Sequence, residues 1–145
     1  MSFMPSKIDI NIAELLQTTK TIALEIASPK QHRDSNKILR FLLDYGYDVY
    51  PINPAHEGIQ IAGRKVYGSL SDVPVPIDLV DIFRRSDGVT PIVSEAIELN
   101  VKAVWMQLGV INEEAAALAK AAGLQVVMDR CPAIDIPRYQ SLGLL

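Results

Sequence analysis

Positive charge is concentrated in one short loop of the sequence. Lys30 and Arg33 lie between an apolar run at 21–26 and an amphipathic segment that starts near Asp34, and Lys37 follows within the first turn of that segment. A phosphate at such a place is held by the side-chain charges, by free backbone N–H groups and by the positive end of the helix dipole. The pattern predicts either a phosphate-binding loop or a solvated, well-capped turn.

The elements around this loop predict a strand–loop–helix–strand unit. The run at 21–26 is typical of a buried strand, and 48–53 is typical of a second one. Between them, Leu39 and Leu42 recur at helical spacing, and Gly46 is suited to end the helix. The crossover of such a unit is almost always right-handed, so the cationic loop belongs at the carboxyl end of the first strand.

The rest of the chain continues the alternation of strands and helices. Further strands are predicted at 79–83, 103–106 and 125–128, with helices at 90–100 and 112–123 between them. We therefore expect an α/β fold: a three-layer, doubly wound parallel sheet of about five to six strands, in a single domain over 1–145. A leading helix within 1–20 and a surface tail over 132–145 complete the prediction.

In open α/β sheets, ligands bind beyond the carboxyl ends of the strands, where the strand order reverses. Polar and cationic residues follow the predicted strands at this edge. They are Ser28 and Lys30, Asn53, Arg84 and Arg85, Gln107, and Arg130. This concentration of positive charge favours a ligand that carries phosphate.

Composition excludes several classes of function. The net charge of −3 and the isoelectric point near 5.3 argue against a nucleic-acid or membrane-surface protein. No apolar run reaches the length of a membrane span, and the N-terminus does not resemble a secretory leader. A single cysteine suggests a reducing compartment, and two histidines are too few to suggest a metal site. We expect a cytoplasmic protein without a metal.

The motifs of several nucleotide-dependent enzymes are absent from the sequence. A dinucleotide fold needs a G-x-G-x-x-G loop and an acidic residue after the second strand, but the loop has no glycine and the strand ends in Asn53-Pro54. The sequence also contains no P-loop, no G-x-S-x-G elbow and no pair of histidine and carboxylate that suggests catalysis.

Taken together, the motifs resemble one family: stand-alone CoA-binding proteins of Rossmann-like fold, related to the CoA-binding domains of succinyl-CoA synthetase alpha and of ADP-forming acyl-CoA synthetases. The resemblance covers nearly the whole chain. The matching stretches are Ile22-Ala23-Leu24, Ala27-Ser28, Lys30, Arg33 and Ser35; Tyr50-Pro51-Ile52-Asn53-Pro54; Val80-Asp81-Ile82-Phe83-Arg84; Trp105, Gln107, Gly109 and Val110; and Met128-Asp129-Arg130-Cys131-Pro132.

The resemblance implies a protein that binds coenzyme A or an acyl-CoA through the loop after the first strand, with no chemistry of its own. The implied contacts are Ala27, Ser28, Lys30, Arg33 and Ser35 around the diphosphate, Asn53 and Pro54 beside the adenosine, and Phe83, Arg84, Gln107, Leu108 and Gly109 along the pantetheine arm.

The chain departs from the family pattern at Glu25-Ile26, where the family has valine and glycine. A β-branched residue replaces one that lets the backbone turn tightly beside a phosphate, and a carboxylate enters a buried strand. The departure predicts poor CoA affinity. It keeps open a degenerate member that acts as an interaction module, and a second alternative is a binder of, or an enzyme acting on, another nucleotide. The protein partner of such a module is not predicted.

Three further residues carry two interpretations each. Asp81 either orients a ligand or, as such carboxylates more often do, caps backbone N–H groups. Trp105 could be a stacking platform for a ligand, but it is predicted to be core. Cys131 follows the last strand; a lone cysteine is usually an inert apolar filler, but beside Arg130 its thiolate would be favoured and could meet the thiol of CoA.

Overall fold

The structure is a computed structural model, and it describes residues 4–145. The chain alternates strands with helices, as the sequence predicts. The elements are α1 (Lys7–Thr18), β1 (Thr21–Glu25), α2 (Asp34–Tyr45), β2 (Asp48–Ile52), β3 (Gln60–Ile61), β4 (Arg64–Lys65), β5 (Leu79–Ile82), α3 (Val89–Glu98), β6 (Ala103–Gln107), α4 (Glu113–Ala121), β7 (Gln125–Arg130) and α5 (Pro132–Ser141).

Five parallel strands form the sheet, in the order β2-β1-β5-β6-β7, and β3 and β4 form a separate antiparallel hairpin. The chain builds outward from β1 to β2 and then returns to the other side of β1 with β5. The strand order therefore reverses between β1 and β5, which is where doubly wound folds bind their ligands.

Helices cover both faces of the sheet, and strand alternation decides which side chain meets which layer. The first face packs against α1, α2 and α5, and it receives Leu24 and Trp105. The second face packs against α3 and α4, and it receives Ala23 and Ile82. The predicted three-layer α/β sheet is confirmed, and Trp105 lies in the core with no exposed surface.

Gly46 and Asn112 mark the ends of two helices by their backbone and side-chain geometry. Gly46 ends α2 with φ of 119°, and the Asn112 side chain accepts a hydrogen bond from the N–H of Ala115 at 2.9 Å to begin α4. The start of α2 is different, because Arg33 occupies the cap position and no side chain caps the helix. Its first N–H groups consequently lack a side-chain acceptor.

The prediction of a surface tail over 132–145 was wrong, because residues 132–141 form α5. Pro132 takes the first helical position, where no N–H is needed, so it starts the helix instead of breaking it. Pro137 lies inside the helix on its exposed side. Ile136 and Tyr139 are fully buried against the first face, and this packing holds the helix in place.

Candidate functional site

Two neighbouring pockets lie at the carboxyl edge of the sheet. The first, which we call the loop pocket, has a volume of about 480 Å³. It is lined by Ile26, Ala27, Ser28, Lys30, Arg33, Asp34, Ser35, Asn53, His56 and Phe83. Six of the residues predicted from the first two motifs are therefore brought together in one place, although they come from three different elements.

Side-chain amides fix the shape of the loop after β1. Asn53 donates from Nδ2 to the carbonyl of Ala27 at 2.7 Å, and its Oδ1 accepts from the N–H of Ala55 at 2.9 Å. Asn36 donates from Nδ2 to the carbonyl of Ser28 at 2.8 Å, and the Ser28 hydroxyl accepts from the N–H of Lys30 at 3.2 Å. Asn53 thus acts on the loop as an anchor, since both ends of its amide are already engaged.

The cations of the loop pocket are available. Lys30 and Arg33 are exposed, and within residues 4–145 neither has an ion-pair partner within 4.0 Å. The uncapped start of α2 adds backbone N–H donors beside them. Asp34 lies in the same pocket and opposes part of this field. The balance of charges still favours an anion.

The second pocket, which we call the cysteine pocket, adjoins the first and has a volume of about 420 Å³. Apolar side chains form most of it. It is lined by Asp34, Ile38, Phe83, Arg84, Gln107, Leu108, Val110, Cys131 and Ile134. Because Phe83 and Asp34 line both pockets, the two make one groove that runs from the cationic loop to the start of α5.

Within residues 4–145, two buried polar side chains near the carboxyl edge of the sheet have oxygens without a hydrogen-bond partner. The Oε1 atom of Gln107 is buried and unpartnered, and so are both carboxyl oxygens of Asp81. Asp81 is completely buried on the first face, and burial raises its pKa well above the ordinary value. The prediction that Asp81 caps backbone N–H groups was wrong, because no donor reaches its oxygens. Of these two side chains only Gln107 lines the groove, so the groove has one wall residue with an unused acceptor.

Glu25 ends β1 on the second face of the sheet, away from the loop pocket. Its side chain is 4% exposed and lies 3.7 Å from Arg84, measured from Oε1 to Nη1, while Oε2 has no partner. Burial raises the pKa of Glu25 to about 7, against an opposing effect from the Arg84 charge. Ile26, by contrast, lines the loop pocket, so the two departures from the family pattern act in different places.

Several predicted residues do not line the groove. Pro54 begins a short 3₁₀ helix on the surface, and Gly109 donates its N–H to Asp129 Oδ1 at 2.7 Å. Arg85 is exposed and lies near Asp87 at 3.6 Å.

The placement of Arg130 at the ligand edge was wrong. Its guanidinium turns onto α5, where it donates to Asp135 at 2.8 Å and to the Tyr139 hydroxyl at 2.9 Å. Arg130 is therefore not available to a ligand, nor to the Cys131 thiol.

Sequence reasoning missed five residues of the groove: Asp34, Ile38, His56, Val110 and Ile134. Ile38 lies in α2, where its position fits the helical spacing of the core, and Ile134 lies in the stretch predicted to be a surface tail. His56 follows Asn53 by three residues, and this spacing within a short 3₁₀ turn was the one signal that could have indicated it.

Neither a cluster of metal-binding side chains nor a membrane-spanning helix occurs among the described residues. Over 4–145, no three His, Cys, Asp or Glu side chains converge in a way that could hold a metal ion. None of the helices in this range has the length and apolar character needed to span a bilayer.

The parallel sheet, its strand order and the groove at the point of reversal define a Rossmann-like domain. Comparison with known proteins gives the family: the model described as "CoA binding domain" matches residues 20–137. The chain belongs to this CoA-binding domain family.

Three relatives illustrate the similarity. The chain is 40% identical to a hypothetical protein of Pyrococcus horikoshii, over 95% of this chain and 98% of that one, with a TM-score of 0.86. It is 36% identical to the uncharacterised protein YneT of Bacillus subtilis, over 88% of this chain and 91% of that protein. It is also 33% identical to the alpha subunit of ADP-forming acetate–CoA ligase I of Pyrococcus furiosus, over 63% of this chain but only 21% of that subunit.

Proposed function

We propose that the protein binds coenzyme A or an acyl-CoA in the groove, and that it performs no chemistry on the ligand by itself. The observation that carries this proposal is the adjacency of a cationic pocket without internal ion pairs and a mainly apolar pocket. Coenzyme A has the same division, with phosphates at one end and a pantetheine arm at the other. Family membership supports the same ligand.

In this proposal the diphosphate lies over the loop after β1. Lys30, Arg33 and the Ser28 hydroxyl lie in the loop pocket together with the start of α2. Hydrogen bonds from charged donors to phosphate oxygens are short and strong, and the loop is already held in shape by Asn36 and Asn53. Little conformational entropy is therefore lost when the ligand binds.

The pantetheine arm passes Phe83 and enters the cysteine pocket. Its apolar atoms would contact Phe83 and Leu108, which is 58% exposed in the free protein. The amide groups of the arm would meet Gln107, whose Oε1 is otherwise unpartnered. The adenosine end extends past Asn53 toward Pro54 and His56, at the end of β2.

Calorimetry of CoA binding to matched variants tests this arrangement. We expect Lys30→Ala and Arg33→Ala each to weaken binding by about 1–2 kcal/mol, because each removes a charge-assisted hydrogen bond. Lys120→Ala is the matched control, since it removes an exposed lysine from α4, which lies on the second face of the sheet. Unchanged affinities in both loop variants would exclude the loop pocket as the phosphate site.

A second candidate is a degenerate member that has lost CoA and serves as an interaction module. The position of Ile26 in the loop pocket favours it, because the side chain takes up space beside the expected diphosphate. Native mass spectrometry of the purified protein separates the two candidates. A retained mass of CoA or an acyl-CoA supports the first, no bound ligand and no binding on titration supports the second, and a nicotinamide or flavin nucleotide would overturn both.

A further inference from the structure

The cysteine pocket contains the chain's single cysteine next to an unused buried acceptor. Cys131 is 8% exposed and Gln107 is 7% exposed, and both line the pocket. Among the residues that the structure describes, no donor reaches the Oε1 atom of Gln107. A buried polar atom without a partner costs free energy, so its presence in a pocket wall points to a ligand that supplies the missing donor.

Nearby hydrogen-bond donors partly offset the effect of burial on the pKa of the Cys131 thiol. The residue occupies the cap position of the ten-residue helix α5, and donors from the Gln107 side chain and from the backbone of Ala133 and Ile134 favour its thiolate. Burial acts against them and raises the pKa of the Cys131 thiol overall. Cys131 is therefore a protonated, shielded thiol in the wall of the cysteine pocket.

We propose that Cys131 is a site of covalent modification by coenzyme A: it exchanges with the disulfide of CoA and forms a protein–CoA mixed disulfide in the cysteine pocket. The inference rests on the proposed function, because the phosphates of the bound half must hold the reacting sulfur in the groove. It adds a redox-dependent, covalent state to what is otherwise reversible binding.

The exchange is balanced without any further oxidant. The Cys131 thiol loses its proton to solvent, and its thiolate attacks the nearer sulfur of the CoA disulfide. A protein–CoA disulfide bond forms, the original disulfide bond breaks, and the distal CoA leaves as a thiolate that takes up a proton. The Cys131 sulfur is oxidised and the departing CoA is reduced.

The setting of the thiol makes the reaction selective. A buried thiol of raised pKa reacts slowly with disulfides in general, because little thiolate is present. A disulfide that is bound in the groove reacts from a high effective concentration, and a thiolate of higher pKa is the stronger nucleophile once formed. We expect CoA disulfide to modify the protein much faster than glutathione disulfide, which lacks the adenosine and phosphate groups.

Intact-mass spectrometry of the full chain, incubated separately with each disulfide, tests the inference. We expect a mass increase of one disulfide-linked CoA that is reversed by a reductant and absent in Cys131→Ser. The rate with CoA disulfide should exceed that with glutathione disulfide by at least about tenfold, and Lys30→Ala should lower only the former. Equal rates with the two disulfides, or no adduct with CoA disulfide, would overturn the proposal.

A second measurement distinguishes failure of this inference from failure of the proposed function. Reduced CoA is titrated calorimetrically into Cys131→Ser, whose thiol chemistry is gone but whose loop is intact. If CoA binds to Cys131→Ser but the native chain forms no adduct with CoA disulfide, only the covalent site is rejected. Absence of binding both there and in the native chain rejects the proposed function, and with it the reason for the modification.

Discussion

Two regions of the molecule differ in whether their buried polar groups have hydrogen-bond partners. Between α1 and α5, Asp9 accepts hydrogen bonds from Ser6 at 2.9 Å, from Arg138 at 3.0 Å and from the Tyr139 hydroxyl at 2.9 Å. At the carboxyl edge of the sheet, by contrast, Glu25, Asp81 and Gln107 each keep at least one buried oxygen without a partner.

The difference shows which polar groups serve the fold and which are left for another role. The Asp9 cluster links the two ends of the chain, and the Arg138 guanidinium holds the pKa of Asp9 well below its usual range. The unpartnered oxygens of Glu25, Asp81 and Gln107 lower stability instead, because a buried polar atom without a hydrogen bond costs free energy. They lie around the reversal of strand order, where a ligand is expected.

The largest effect on stability is expected when the hydrogen-bonded cluster around Asp9 is broken. Asp9→Ala removes the acceptor of Arg138 and Tyr139 and should lower the free energy of unfolding by about 3 kcal/mol, because a paired, largely buried charge is lost. Urea denaturation at neutral pH measures this, with Asp44→Ala on the exposed side of α2 as the control. A loss no larger than that of the control would mean that the cluster does not tie α1 to α5.

The Asp9 contribution also depends on pH. Its stabilisation is fully present above the ordinary pKa of 3.8 and is lost as the pH falls toward the lower pKa of the folded state. The stability difference between native protein and Asp9→Ala should therefore shrink in acid. CoA affinity should stay unchanged in the variant while it is folded, since Asp9 does not line the groove.

A smaller effect of opposite sign is expected at Glu25. The folded protein holds the Glu25 proton up to a pH of about 7, whereas the unfolded chain releases it near 4.5. Unfolding therefore releases a proton in this window, and the folded state loses stability as the pH rises through it. Glu25→Gln should remove that loss and make the protein about 2 kcal/mol more stable above pH 7.

Urea denaturation at a series of pH values measures the Glu25 effect. The exposed Glu98→Gln on α3 serves as the matched control and should leave the pH dependence as it is. If Glu25→Gln were destabilised at every pH, the ion pair with Arg84 would be worth more than the burial of the carboxylate, and the contrast with Asp9 would fail.

The smallest effect is expected at Ile26, and it concerns binding. The sequence predicts that Glu25→Val together with Ile26→Gly tightens CoA binding tenfold or more, about 1.4 kcal/mol. The structure separates the expected effects of the two substitutions, because Ile26 lines the loop pocket and Glu25 does not. Ile26→Gly should give the gain in affinity and a slightly lower melting temperature, and Glu25→Val alone should change stability but leave affinity nearly unchanged.

Ile26→Ala shows whether space or backbone freedom is responsible. In the described part of the chain, the non-glycine residues with positive φ are Ala62, Asn100 and Asp129, so Ile26 does not need the conformational freedom of glycine. Alanine should therefore give most of the gain. Native affinity that is tight, and that neither change improves, would mean that the ligand avoids Ile26.

Local patterns determined much of this protein. Short apolar runs predicted the strands, and helical spacing with Gly46 predicted where α2 ends, because these preferences arise within a few residues. The first-loop motif indicated which cations would lie together, since Lys30 and Arg33 share one short loop. The strands of a doubly wound sheet must then end at one edge, so the general position of the groove followed from the sequence.

Tertiary structure alone decided which polar groups are free. Its place at the end of β7 predicts Arg130 at the ligand edge, but Asp135 and Tyr139 engage its guanidinium, and both belong to a helix in the stretch predicted to be a tail. Asp9 and Tyr139 lie 130 residues apart and meet only when both end helices pack on the same face of the sheet. Hydrogen-bond and ion-pair partners are set by long-range packing, so no local pattern could have shown that Asp81 and Gln107 would be left without them.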